Sequence, residues 1–95
     1  MIKAEVITKV NGLVQSDREE IMEIISVLLN TIINKVAEGD PVMINDFGTF
    51  YPKLRNKTTG RNIAKNTLII IPPHYIPRLR PYQNFVNQVK TTNPV

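Results

Sequence analysis

Residues 17–38 constrain this chain more than any other stretch. Ten of their side chains are large and apolar: Ile21, Met22, Ile24, Ile25, Val27, Leu28, Leu29, Ile32, Ile33 and Val36. Their recurrence predicts a helix that stops at Gly39. Ile21, Ile25, Leu28, Ile32 and Val36 form one face, and Met22, Leu29 and Ile33 form another. A single stripe suffices for a helix lying on a core; two stripes need cover from both sides. A chain of 95 residues has too little other apolar material to supply it. The helix therefore predicts a dimer, the alternative being a helix sandwiched inside its own domain. Its start is ambiguous by one residue. Ser16 with Glu19 forms a capping box, and Asp17 with Glu20 offers the same box one position later.

The remaining elements read more simply. Val6, Val10 and Leu13 predict a short first helix over 2–14, weakened at Asn11-Gly12. All seven prolines lie at position 41 or later, among β-branched and aromatic runs. Val42–Ile44 is expected to be a short strand, turned at Asn45-Asp46. A second strand starts at Phe47 and runs toward Arg55, with its Pro52 donor side unpaired. A third begins at Thr67–Ile71 and continues past Pro72-Pro73 over 75–80. Between the long strands, residues 56–66 are polar, basic and nearly without core-forming side chains. Pro81 opens a short helix over 82–90, and 91–95 is expected to be a frayed tail.

Charge is divided as sharply as structure. All eight acids lie in residues 1–46, which carry four bases and a net charge of −4; residues 47–95 carry eight bases and no acid, hence +8. Such a half repels itself unless a polyanion is near. Nucleic acid is the first candidate, an anionic membrane surface the second. A long hairpin with a basic, coreless middle points the same way, since two strands alone are marginal in water and must lie against something.

Asp46-Phe47-Gly48-Thr49-Phe50, Lys53 and Arg55, Gly60-Arg61-Asn62, Ile71-Pro72, Pro77 and Arg80-Pro81, spaced this way behind two helices and Gly39-Asp40, carry a resemblance. The chain resembles the HU/IHF family of bacterial histone-like proteins and integration host factor, without a gap over residues 1–90. The resemblance implies an α+β fold and an intertwined dimer. Two N-terminal helices form its base, a three-stranded antiparallel sheet forms a saddle, a long β-ribbon arm extends from the sheet, and a short C-terminal helix closes the chain. One domain over 1–95 is expected: a dimerisation base and first strand in 1–46, the saddle in 47–80 with the arm at about 53–70, the helix in 81–90 and the tail. It implies a non-enzymatic protein that binds, bends and compacts double-stranded DNA with little sequence specificity, in the cytoplasm and on the nucleoid. It implies a homodimer, or a heterodimer with a paralogue. The chain departs from the family at several positions. Ile63 stands where the family has a proline wedge, Asp46 where glycine is usual, and Leu79 at a core aromatic position. Thr58 and Thr59 replace bases, Tyr82-Gln83 replaces Gly-Lys, and Lys65-Asn66-Thr67 replaces a turn usually containing glycine. These departures leave two alternatives: an HU-like structural protein with weakened bending, or a single-stranded DNA or RNA binder.

The candidate DNA contacts follow. Lys53, Arg55 and Lys57 alternate along one strand face, which suits a row of phosphates. Arg78 and Arg80 repeat that spacing on the returning strand. Arg61 and Asn62 suit a narrow minor groove, where potential is negative and base-edge acceptors face outward. Ile63 is apolar with no neighbour to bury against, as a side chain inserted between base steps would be. Lys65 belongs to the same basic tip. Lys3 lies at the position the family uses on the outer DNA path. Phe47, Phe50, Leu79 and Phe85 are expected in the core, and His74 as a surface or packing histidine. No catalytic constellation, phosphate loop or ligand cluster is present in the pattern. Cysteine is absent and His74 is the only histidine, so no cofactor, metal or small-molecule substrate is expected. No apolar run approaches the roughly 18–20 residues of a membrane span, and residues 1–10 contain no signal-peptide core.

Overall fold

A computed structural model describes residues 1–56, 58–62 and 67–95, with the side chains of 1–56 and 70–95. Three helices and five strands run in the order α1 (Lys3–Leu13), α2 (Arg18–Ala37), β1 (Val42–Ile44), β2 (Gly48–Arg55), β3 (Thr58–Asn62), β4 (Thr67–Ile71), β5 (His74–Pro81) and α3 (Gln83–Thr92). The chain divides into two compact units, 1–34 and 35–95.

In the first unit α1 and α2 are tied by polar contacts as well as packing. Lys3 Nζ donates to Ser26 Oγ at 3.0 Å, and Arg18 donates to Thr8 Oγ1 at 3.1 Å. The ambiguous helix start resolves in favour of Asp17. Its carbonyl accepts from the Ile21 N–H, and its carboxylate lies 3.4 Å from the Glu19 N–H. Ser16 instead donates its own N–H to the Val14 carbonyl, which leaves no free N–H for Glu19 to reach back to. Ile7 and Ile21 are buried, but Ile24, Val27, Leu28, Leu29 and Ile33 remain 42–62% exposed. Leu28, on the same face as Ile21, is 49% exposed and lines a groove with Glu23, Ile24, Val27 and Thr31. Within the single chain α2 thus leaves much of its apolar surface uncovered.

The second unit begins with the end of α2. Gly39, at φ 89°, donates its N–H to the Val36 carbonyl, and Asp40 donates to Lys35. This doubly bonded ending requires a left-handed residue, which is why the helix stops at glycine. A turn follows in which Phe47 N–H reaches the Ile44 carbonyl, placing Asp46 at φ 66°. Glycine or asparagine normally occupies that turn position.

The sheet has strand order β1-β2-β5, antiparallel throughout. Pro52 lies opposite Pro77. Two prolines fit only a pair without mutual hydrogen bonds, and β1 has already ended at Val42, opposite Phe50, so the missing Pro52 donor has no strand to serve. The expected third strand is broken in two, because Pro72 and Pro73 remove consecutive donors. The polar stretch expected between long strands contains a strand, β3, paired with β4. Register carries through the break: Arg55 faces His74 and Thr58 faces Ile71, three steps on in both strands. Helix α3 starts after Tyr82 and runs to Thr92, two residues beyond its expected end. Asn93 caps it by donating from both its N–H and its Nδ2 to the Val89 carbonyl.

Phe47 stacks near Phe50 at 6.1 Å and against Phe85 at 5.4 Å between centroids. These rings gather as expected of a core, yet Phe47 and Leu79 stay about two-fifths exposed. Gly48 is buried beneath the returning strand. A Cβ there would come within 2.7 Å of the Arg80 carbonyl and 2.9 Å of Leu79 Cδ1.

Candidate nucleic-acid interface

Residues directly opposite in an antiparallel pair share a face, and successive residues alternate. The β2–β5 register therefore sorts every side chain of the long hairpin. Thr49, Tyr51, Lys53 and Arg55 share one face with Arg80, Arg78, Ile76 and His74. Gly48, Phe50, Pro52 and Leu54 share the other with Pro81, Leu79, Pro77 and Tyr75. One face carries four cations and the reverse carries none. Lys53, Arg55, Arg78 and Arg80 are all exposed, as groups that meet a solvated anion must be. Arg80 lies 5.4 Å over the Tyr51 ring, which holds the guanidinium in place on that face.

The two rows that sequence reasoning proposed separately, 53–55 and 78–80, are thus one surface. Three of its members were not foreseen. Tyr51 supports Arg80, and Met43, opposite Thr49, extends the face across β1 with 66% exposure. His74 lies opposite Arg55, at the end of the cationic row. The signal for these residues is register, which depends on where two distant segments pair. Lys3 lies at the start of α1, with its ammonium on Ser26. Arg61 and Asn62 lie on β3, where the backbone pairs with Leu68 and Thr67. Lys57, Ile63 and Lys65 lie outside the described residues. Behind the sheet, Tyr82 donates to Asn45 Oδ1 at 3.3 Å and Asn84 donates to the Asp46 carbonyl at 2.9 Å, pinning α3 to the β1–β2 turn. Among the described residues no group of acids and histidine is placed to hold a metal ion, and no helix is long and apolar enough to cross a membrane.

Fold and face define a class: small α+β proteins that present a cationic antiparallel sheet, extended by a two-stranded ribbon, to a polyanion. The family profile described as bacterial DNA-binding protein matches residues 1–90, and the chain belongs to that family, which includes HU and integration host factor. It is similar to DNA-binding protein HU of Thermotoga maritima, 28% identical over 90 residues that cover 95% of this chain and 100% of that protein. It is also similar to integration host factor subunit alpha of an Anaeromyxobacter species, 27% identical over 95 residues that cover 100% of this chain and 96% of that one. HU of Buchnera aphidicola is 37% identical over 62 residues, 65% of this chain and 67% of that protein. Among solved structures, the Anabaena HU–DNA cocrystal structure superposes with a TM-score of 0.86 at 26% identity, covering 100% of both chains. A Thermotoga maritima HU mutant superposes at 0.71 with 21% identity, covering 95% of this chain and 100% of that one, a likeness of fold.

Proposed function

We propose that this protein is a dimeric, non-enzymatic binder of double-stranded DNA that bends the duplex over its cationic sheet with little sequence specificity. The observation that carries this reading is the single face bearing Lys53, Arg55, Arg78 and Arg80, backed by an apolar reverse face. Four exposed cations in two adjacent rows match phosphates, which carry most of the affinity in such complexes and no base sequence. The cocrystal neighbour's DNA supports the choice of polyanion. In this reading the ribbon β3–β4 carries Arg61 and Asn62 toward the minor groove, Ile63 is the apolar wedge, and Lys57 and Lys65 add phosphate contacts. Lys3 serves an outer stretch of DNA only after exchanging Ser26 for a phosphate.

The dimer is supported by α2. Five apolar side chains about half exposed on one helix are each worth of order 1 kcal/mol if a second chain covers them. The exposed Leu54, Tyr75 and Leu79 on the reverse of the sheet are a second apolar surface left uncovered. A homodimer satisfies both, and a paralogous partner would have to present the same apolar faces. The site of action is then the nucleoid, in the cytoplasm.

Competition for one labelled complex among linear duplex, nicked duplex and single strand tests this function. Preference for nicked duplex supports bending, because a nick removes much of the deformation cost. Preference for single strand replaces the reading with single-strand binding, and absence of duplex binding at moderate salt refutes it.

A further inference from the structure

We infer that DNA binding by this protein takes up a proton at His74, which acts as a fifth, proton-dependent cation of the interface. This inference rests on the DNA reading of the same face. His74 is directly opposite Arg55 and is exposed. Its Nδ1 lies 3.0 Å from the Pro72 carbonyl oxygen. A carbonyl only accepts, so Nδ1 carries the hydrogen and the neutral ring leaves Nε2 as a bare acceptor. A bare acceptor is repelled by phosphate. Once Nε2 is protonated the ring becomes a cation with a donor free, and imidazole is the side chain whose ordinary charge change falls between pH 5 and 8.

Arg55 on β2 faces His74, Lys53 lies one same-face step along β2, and Arg78 lies two same-face steps along β5. No acid occurs anywhere in residues 47–95. A docked phosphate row would bring anions to a face that otherwise holds only cations around His74. Protonation is thereby coupled to binding: the cationic form binds more tightly, so affinity is fully present at low pH and falls as pH rises.

The test is fluorescence anisotropy of a labelled duplex at pH 6 and pH 8, at one ionic strength, with wild type and His74→Asn. Asparagine can still donate to the Pro72 carbonyl but takes up no proton. Wild type should bind roughly three- to tenfold more weakly at pH 8, the range for one exposed ion pair in each of two protomers. The variant at pH 6 should fall to the wild-type level at pH 8. Calorimetry of wild type in buffers of different ionisation enthalpy gives the proton uptake directly, and should show uptake of up to one proton per protomer. Equal pH dependence in wild type and variant, or no uptake in calorimetry, overturns the inference. Absence of duplex binding at both pH values overturns the DNA reading, and this inference with it.

Discussion

Replacing Arg78 and Arg80 together by glutamine should lower the salt sensitivity of DNA binding by four phosphate contacts per dimer. Glutamine removes both charges while leaving much of the aliphatic stem that covers the sheet. Each chain places four cations on the face, so a dimer places eight. If each neutralises one phosphate at about −0.9 per contact, these eight alone contribute about −7 to the log–log slope of affinity against salt, and Lys57 and Lys65 add to it. The double variant removes four of the eight and should make the slope shallower by about 4. Between 50 and 200 mM salt the variant should then lose about a hundredfold less affinity than the wild type. Titrations at four or five salt concentrations give the slope. Lys35→Gln is the control, since Lys35 lies at the end of α2 with its ammonium 3.6 Å from Glu38, off the sheet face. A slope unchanged in the double variant would refute the assignment of Arg78 and Arg80 to phosphates, and a slope near −1 in the wild type would refute the electrostatic argument as a whole.

Other consequences concern stability and the ribbon. Gly48→Ala forces a Cβ against the Arg80 carbonyl at 2.7 Å and should cost about 1–3 kcal/mol, read as a lower midpoint in thermal unfolding. Asp46→Gly relieves a positive φ and should gain about 0.5–1 kcal/mol in the same assay, because the turn no longer holds a side chain in the left-handed region. The wild-type midpoint should rise with protein concentration, as it must when folding and association are linked; a constant midpoint with a monomeric mass in ultracentrifugation would remove the dimer. Ile63→Ala should reduce the bend measured by end-to-end FRET more than it reduces affinity for nicked duplex, since unstacking a base step costs about a few kcal/mol that an inserted side chain offsets.

Much of this fold was legible because its signals are local. The helix period of 21–36, the stop at Gly39 and the alternation of 53 and 55 each arise within a few residues. What escaped depends on distant partners. Strand β3 has no strand-like pattern, since Thr58 through Asn62 are small, polar or basic; the backbone is held by pairing with Thr67–Ile71. Pro72-Pro73 read as a passing irregularity, yet two absent donors divide the returning strand. Asp17 rather than Ser16 caps α2, a one-residue choice that side-chain chemistry alone left balanced. The cationic rows were visible singly, but their union on one face follows from the Tyr51–Arg78 and Arg55–His74 pairings. The same register places His74 opposite Arg55 on that face.

The claim on which all of this rests is that one face of the β2–β5 hairpin, and not its reverse, holds DNA. Ile76 and Tyr75 are consecutive and point to opposite faces, Ile76 opposite Lys53 and Tyr75 opposite Leu54. The chain has no cysteine of its own, so Ile76→Cys and Tyr75→Cys each accept a single photoreactive label. Irradiation of the labelled protein with duplex DNA should crosslink strongly from position 76 and weakly from position 75. Equal crosslinking from both positions, or stronger crosslinking from 75, would contradict the account.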